Sequence, residues 1–150
     1  PMAGPLGFEV IVVDPRRAFA TEERFGGVTL ITEWTDDAMV ALAPDARTAV
    51  VTLTHDPKLD DPALDVALKS PAFYIGALGS KRTHAKRVAR LTELGHGAEA
   101  MARIHAPVGL DLGGRSAPEI ALSVMAEVVA ARHGTKLGEP RSHAAPGAPA

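Results

Sequence analysis

Cysteine is absent from the 150 residues. Disulfides, thiolate metal ligands and a cysteine nucleophile are thereby excluded, and the chain cannot carry a persulfide. Aromatic residues make up only 4% and the formal net charge is -2. With few stacking platforms and no basic excess, nucleic-acid binding is disfavoured. No apolar run approaches membrane-spanning length, which argues against a membrane partner. No basic stretch followed by an apolar one opens the chain, so the expected location is cytoplasmic. The six histidines, at 55, 84, 96, 105, 133 and 143, include no pair at a metal-binding helical spacing, and no protein-ligated metal is expected.

Hydrophobic residues account for 46% and charged ones for 23%, the balance of a globular domain long enough to bury a core. Five apolar, β-branched runs read as strands: "FEVIVV" (8–13), "VTLI" (28–31), "AVVTL" (49–53), "FYIGAL" (73–78) and "RIHAPV" (103–108), the last containing Pro107. Between them lie candidate helices at "DDAMVALA" (36–43), "DPALDVALK" (61–69) and "KRTHAKRVARLTEL" (81–94). Near-continuous apolar strands suit a parallel sheet covered on both faces, and the βαβ alternation predicts an α/β doubly wound, mostly parallel fold. The helix from Lys81 carries Ala85, Val88, Leu91 and Leu94 along one side, with Lys86, Arg87, Arg90 and Glu93 elsewhere and Gly95 placed to end it. The final helix, "APEIALSVMAEVVAARHG" (117–134), is apolar except for a line through Glu119, Ser123 and Glu127, and most of its surface is expected to be buried. Ser116 and Glu119 form a capping box at its start. The expected division is a domain over 1–134 and a disordered, Pro- and Gly-containing tail over 135–150.

The first strand ends in Asp14. An acidic residue ending the second strand of a dinucleotide-binding βαβ unit would hydrogen-bond a ribose hydroxyl. Beside that stands the plainer role of a turn former before Pro15. Such a unit begins with a strand, a glycine-rich turn and a helix, and "PMAGPLG" is too short for all three. The expectation is a sheet lacking its first strand and glycine-rich turn, whose place would lie between the strand ending at Asp14 and the one ending at Thr54. A sheet so interrupted leaves strand edges unsatisfied, which predicts marginal stability and association, a homodimer being one form.

In an open α/β sheet, ligands bind beyond the carboxyl ends of the strands. Three polar loops fall there: "THDP" with His55 and Asp56, "GSKR" with Gly79, Ser80, Lys81 and Arg82, and "GLDLGGRS" with Asp111 and Arg115. A helix starting at Ser80 presents free N–H groups and the positive end of its dipole, which favour acidic residues rather than Lys81 and Arg82. A bound anion would relieve that conflict, and a solvated basic face is the alternative. Gly76 and Gly79 either serve packing and a turn or let backbone approach a phosphate. Asp56 before Pro57 suits a turn, whereas no turn requires His55, which can bind a ligand or move protons near neutral pH. His105, inside an apolar strand, reads as a core histidine. Asp111 and Arg115, with Gly113 and Gly114, make a polar loop open to either role. No catalytic pair or triad emerges.

In order and spacing, "LTHDPKLDDPAL" (53–64), "YIGALGSKRTHAKR" (74–87) and "RIHAPVGLDLGGRSAPEIALSVMAEVVAARHG" (103–134) resemble the C-terminal Rossmann-like domain of the XdhC/CoxI family. These are accessory proteins for xanthine dehydrogenase and related molybdenum hydroxylases. The likeness runs from about Leu6 to Gly134. It implies a maturation factor rather than an enzyme: one that binds the molybdenum cofactor (molybdopterin), protects it while a separate cysteine desulfurase installs the terminal sulfido ligand, and passes it to the apo-hydroxylase. On that resemblance Lys81 and Arg82 would hold the pterin's phosphate, with the Ser80 hydroxyl and the backbone of Gly79 and Ser80 as donors. His55, Asp56, Asp111 and Arg115 would line the remaining pocket. Family members carry a first strand with a glycine-rich turn, and a separate N-terminal domain, ahead of this region. Two rivals remain: an NAD(P)-dependent oxidoreductase domain using Asp14 on the ribose, and a protein-interaction module whose apolar last helix docks on a partner.

Overall fold

The computed structural model describes residues 1–138. Most of the expected tail, 139–150, lies outside the described residues. A 3-10 turn at Gly4–Leu6 leads into β1 (Ile11–Val13), α1 (Glu22–Phe25), β2 (Thr29–Ile31), α2 (Thr35–Leu42), β3 (Ala49–Thr52) and α3 (Pro57–Leu68). There follow β4 (Tyr74–Ala77), α4 (Lys81–Glu93), α5 (Ala98–Met101), β5 (Ile104–His105) and α6 (Ala117–Arg132). Every strand pair is parallel, with Val12 opposite Leu30, Val50 opposite Ile75 and Gly76 opposite His105. The strands form two ladders, β1–β2 and β3–β4–β5, so β1 and β3 each have a neighbour on one side only. No backbone hydrogen bond joins the two ladders among the described residues.

Alternation along the second ladder divides the core between two faces. Val50, Ile75, Ala77 and Ile104 meet Leu64 and Leu68 of α3, Leu91 of α4 and Met101 of α5. Ala49, Val51 and Tyr74 face the opposite way, against Val124 and Val128 of α6 and Phe8. All four residues of β4 are buried, as the central strand of a doubly covered sheet must be. The fold is therefore Rossmann-like α/β.

Several elements depart from the pattern. The chain contains two Asp-Pro pairs in this region, and α3 starts at the first: Asp56 Oδ1 accepts from Lys58 N at 2.9 Å, and Pro57 takes the first helical position, where no N–H is needed. Pro62 is tolerated because the carbonyl it leaves unbonded belongs to exposed Lys58. On α4 the expected side holds in part: Leu91 is buried and Val88 packs against the core, while Ala85 and Leu94 are exposed and Arg87, expected elsewhere, is buried. On α6 the capping box is present, but only Ser123, Val124 and Val128 are buried. Its other face, with Leu122, Met125 and Val129, joins Met2 and Leu6 in lining an apolar groove of ≈ 850 Å³. The polar line along α6 points inward at Glu127, whose Oε1 accepts from Tyr74 Oη at 2.6 Å and from Gly109 N at 3.3 Å. His105 is not a core histidine. On the two-residue strand β5 it is exposed, its ring stacked on buried Tyr74 with centroids 4.6 Å apart.

Candidate functional site

The loop after β3 is locked from within. Thr54 Oγ1 donates to Asp60 Oδ1 at 2.6 Å and accepts from Asp56 N at 3.1 Å, while Asp56 caps α3. These bonds hold His55 at φ 63, a left-handed conformation unusual for a residue with a side chain, and leave its imidazole exposed. Asp56 is thus a structural cap, and His55 is the group this loop presents.

The loop after β4 begins where Leu78 N donates to Thr52 O at 3.0 Å. Gly79 then turns at φ 134, with Thr83 and Arg87 close beneath it. Ser80 caps α4, its Oγ accepting from Thr83 N at 3.1 Å. No acidic residue occupies the first turn, and Lys81 and Arg82 are exposed. Among the described residues, the N–H groups of Gly79, Ser80, Lys81 and Arg82 meet no acceptor. The turn therefore offers a fan of backbone donors beside two cations, an arrangement suited to a phosphate.

Gly76 lies elsewhere. It sits inside β4, where a Cβ would come within 2.5 Å of Val108 Cγ2 and 2.8 Å of Tyr74 Cε1. Its missing side chain serves packing, and it does not approach the turn surface. Asp111 accepts from Gly113 N at 3.3 Å and Arg115 N donates to Glu119 Oε2 at 3.2 Å. Both bonds are local, and they place the two exposed side chains at the mouth of the β5–α6 loop without joining them to the Ser80 turn.

Asp14 is buried at the end of β1 and fully engaged. Arg16 Nε donates to Oδ1 at 2.9 Å and Arg16 Nη2 to Oδ2 at 2.8 Å, with Arg16 N a third donor at 2.9 Å. The Arg16 side chain holds the Asp14 carboxyl below its ordinary pKa, against the upward pull of burial. Arg16 in turn lies close enough to Asp56 and Asp60 to feel their charge, which brings the ends of β1 and β3 to one locality. The sequence pattern assigns Arg16 no role, because its fork on Asp14 depends on the bend at Pro15.

Two further residues escape the sequence pattern. Arg87 is buried in α4, and its Nη2 donates to Leu78 O at 3.0 Å. Burial lowers its pKa. Asp60 is buried beside Thr54, with Oδ1 bonded and Oδ2 unpartnered. The available signal is spacing: Arg87 stands one helical turn before Leu91, on the stripe that faces the sheet.

The parallel sheet, with helices on both faces and a glycine turn and helix start beyond its carboxyl ends, defines a Rossmann-like α/β domain. Residues 1–128 match the family model described as the XdhC Rossmann domain, and the chain belongs to that family. Over 88 residues, 59% of the chain and 28% of the relative, it is 47% identical to the molybdenum cofactor insertion chaperone PaoD of Escherichia coli. Over 132 residues, 87% of the chain and 38% of the relative, it is 33% identical to a probable xanthine dehydrogenase subunit from Bacillus subtilis. Among solved structures, a xanthine dehydrogenase from Bacillus halodurans superposes with a TM-score of 0.74 at 25% identity, covering 93% of this chain and 40% of that one. The chain thus spans well under half the length of these relatives.

Proposed function

We propose that this domain is the cofactor-holding part of an accessory protein that takes charge of the molybdenum cofactor and delivers it to a molybdenum hydroxylase of the xanthine dehydrogenase type. The observation that carries the reading is the turn at Gly79–Arg82, with four unmet N–H donors and two exposed cations at a helix start. The phosphate of the pterin is the anion that such a turn fits. His55, presented by a locked loop, and Asp111 and Arg115 at the next loop would contact the rest of the cargo. The domain would perform no chemistry of its own: it would bind, orient and shield. With no cysteine in the chain, the terminal sulfur would come from a separate cysteine desulfurase while the cofactor is held. An NAD(P)-dependent role has less support, because both oxygens of Asp14 are taken by Arg16.

The reading is tested by anaerobic equilibrium binding of molybdenum cofactor, with NADH as the competing ligand. It is run on the chain alone and on a form carrying a strand in the gap between β1 and β3. Replacing Lys81 and Arg82 by alanine should weaken cofactor retention by about tenfold or more at low salt while leaving the thermal midpoint in place, since both side chains are exposed. Retention unchanged by both substitutions would remove the assignment.

A further inference from the structure

Beneath the Gly79 turn lies a charge that the surface cations do not explain. Arg87 is 2% exposed. Its guanidinium reaches back to the turn, with Nη2 on Leu78 O at 3.0 Å and 3.8 Å from where a side chain on Gly79 would begin. Yet Nε and Nη1 have no acceptor. A guanidinium carries five N–H donors in a rigid fork, and leaving charged donors unmet in the interior is costly. The neighbouring carboxylates do not close the deficit. Asp61 is committed to Arg90, and Asp60 keeps one oxygen on Thr54 and the other unpartnered, without pairing with Arg87. Thr52 Oγ1 and His84 Nδ1 are also buried and unmet. These five atoms are all the buried unmet side-chain polar atoms among the described residues, and they sit on the elements that meet at this turn: β3, α3 and α4.

We infer that Arg87 is the inner cation of the anion subsite. A phosphate on the N–H groups of Gly79–Arg82 would be held between Arg87 beneath and Lys81 and Arg82 outside. The inference rests on the reading of that turn as a phosphate site and adds that the decisive charge is the buried one. Exposed cations attract an anion through water and salt, which screen them. Arg87 is already stripped of water, so its attraction acts in a lower dielectric than that of the surface pair. An unmet buried cation is kept for the same reason: the ligand, rather than the protein, supplies its missing acceptor.

The test is titration with inorganic phosphate, followed by calorimetry or by the 31P signal, at low and at physiological ionic strength. Arg87→Met should lower phosphate affinity by about tenfold or more at both ionic strengths. Lys81→Ala with Arg82→Ala should lower it mainly at low salt. Without phosphate, Arg87→Met loses the bond to Leu78 O and the attraction between the guanidinium and Asp60 and Asp61, so it should melt below the parent temperature. A residue that only braces the turn would melt lower too, but its folded variant would bind phosphate as tightly as the parent. Should Arg87→Met fail to fold, Arg87→Lys decides: lysine keeps the charge but cannot serve Leu78 O and an anion together, so affinity must still fall several-fold. Unchanged affinity in the Arg87 variants, alongside a loss in the Lys81 and Arg82 variant, overturns this inference and leaves the phosphate site standing. A parent chain that binds no phosphate overturns both.

Discussion

Asp14 shows how one side chain can be read rightly in position and still be occupied otherwise than its position implies. Its carboxylate ends β1, as the run "FEVIVVD" indicates, but the Arg16 fork fills both oxygens. The folded pKa is held below the ordinary value by that bond. The pair therefore adds stability above the unfolded carboxylate pKa, and this is lost as pH falls through the lower folded value. Asp14→Asn should cost roughly 0.5–1 kcal/mol at pH 7, a small figure because Arg16 is partly in water. The gap in melting temperature between parent and variant should then shrink below about pH 4, near the unfolded carboxylate pKa. A gap independent of pH down to about 3 would show that the pair contributes through packing instead. Ser80, Lys81 and Arg82 are legible as an unfavourable helix start from charge alone. Arg87 is not, because a charged residue on a basic helix reads as solvated until the sheet beneath it is placed.

At the scale of elements, strands are easier to read than helix faces. β3 and β4 follow their apolar runs closely, since a buried parallel strand needs both faces apolar. β5 shrinks to two residues ahead of Pro107, and the short helices α1 and α5 lie in segments too brief for any period to show. The expected stripe of α4 packs at Val88 and Leu91 but not at Leu94, which follows the last helical turn, where the chain leaves the surface it had been packing on. Gly76 gives the sharpest test of packing at this level. Gly76→Ala would force a methyl into Val108 and Tyr74, so it should cost about 1–3 kcal/mol. Urea unfolding should show the midpoint fall with the slope unchanged. Phosphate affinity of the folded fraction should stay at the parent value, and a selective loss of affinity would return Gly76 to the site.

Over the whole molecule, the order of strands is legible, and so is the break between them. The two ladders share no backbone hydrogen bond among the described residues, leaving one edge of β1 and one of β3 open. Open parallel edges recruit strands from other chains. The chain on its own should therefore associate, with a melting temperature that rises with protein concentration and a light-scattering mass above that of one chain. A monomer with a sharp, concentration-independent transition would contradict this. The exposed half of α6 is not legible, because apolar composition says that a face wants cover and not what covers it.

The Thr35 hydroxyl, bonded to Leu59 O at 2.7 Å in a buried contact, belongs to the packing of α2 on α3 that fastens the β1–β2 ladder to the rest. The molecule is in effect a two-leaved book with its spine along those helices. Opening the smaller leaf breaks side-chain packing but no ladder, so amides in β1 and β2 would exchange with solvent by detachment of the leaf, at a free energy below that of global unfolding. Any ligand that touches both Arg16 on one leaf and the Gly79 turn on the other would act as the clasp.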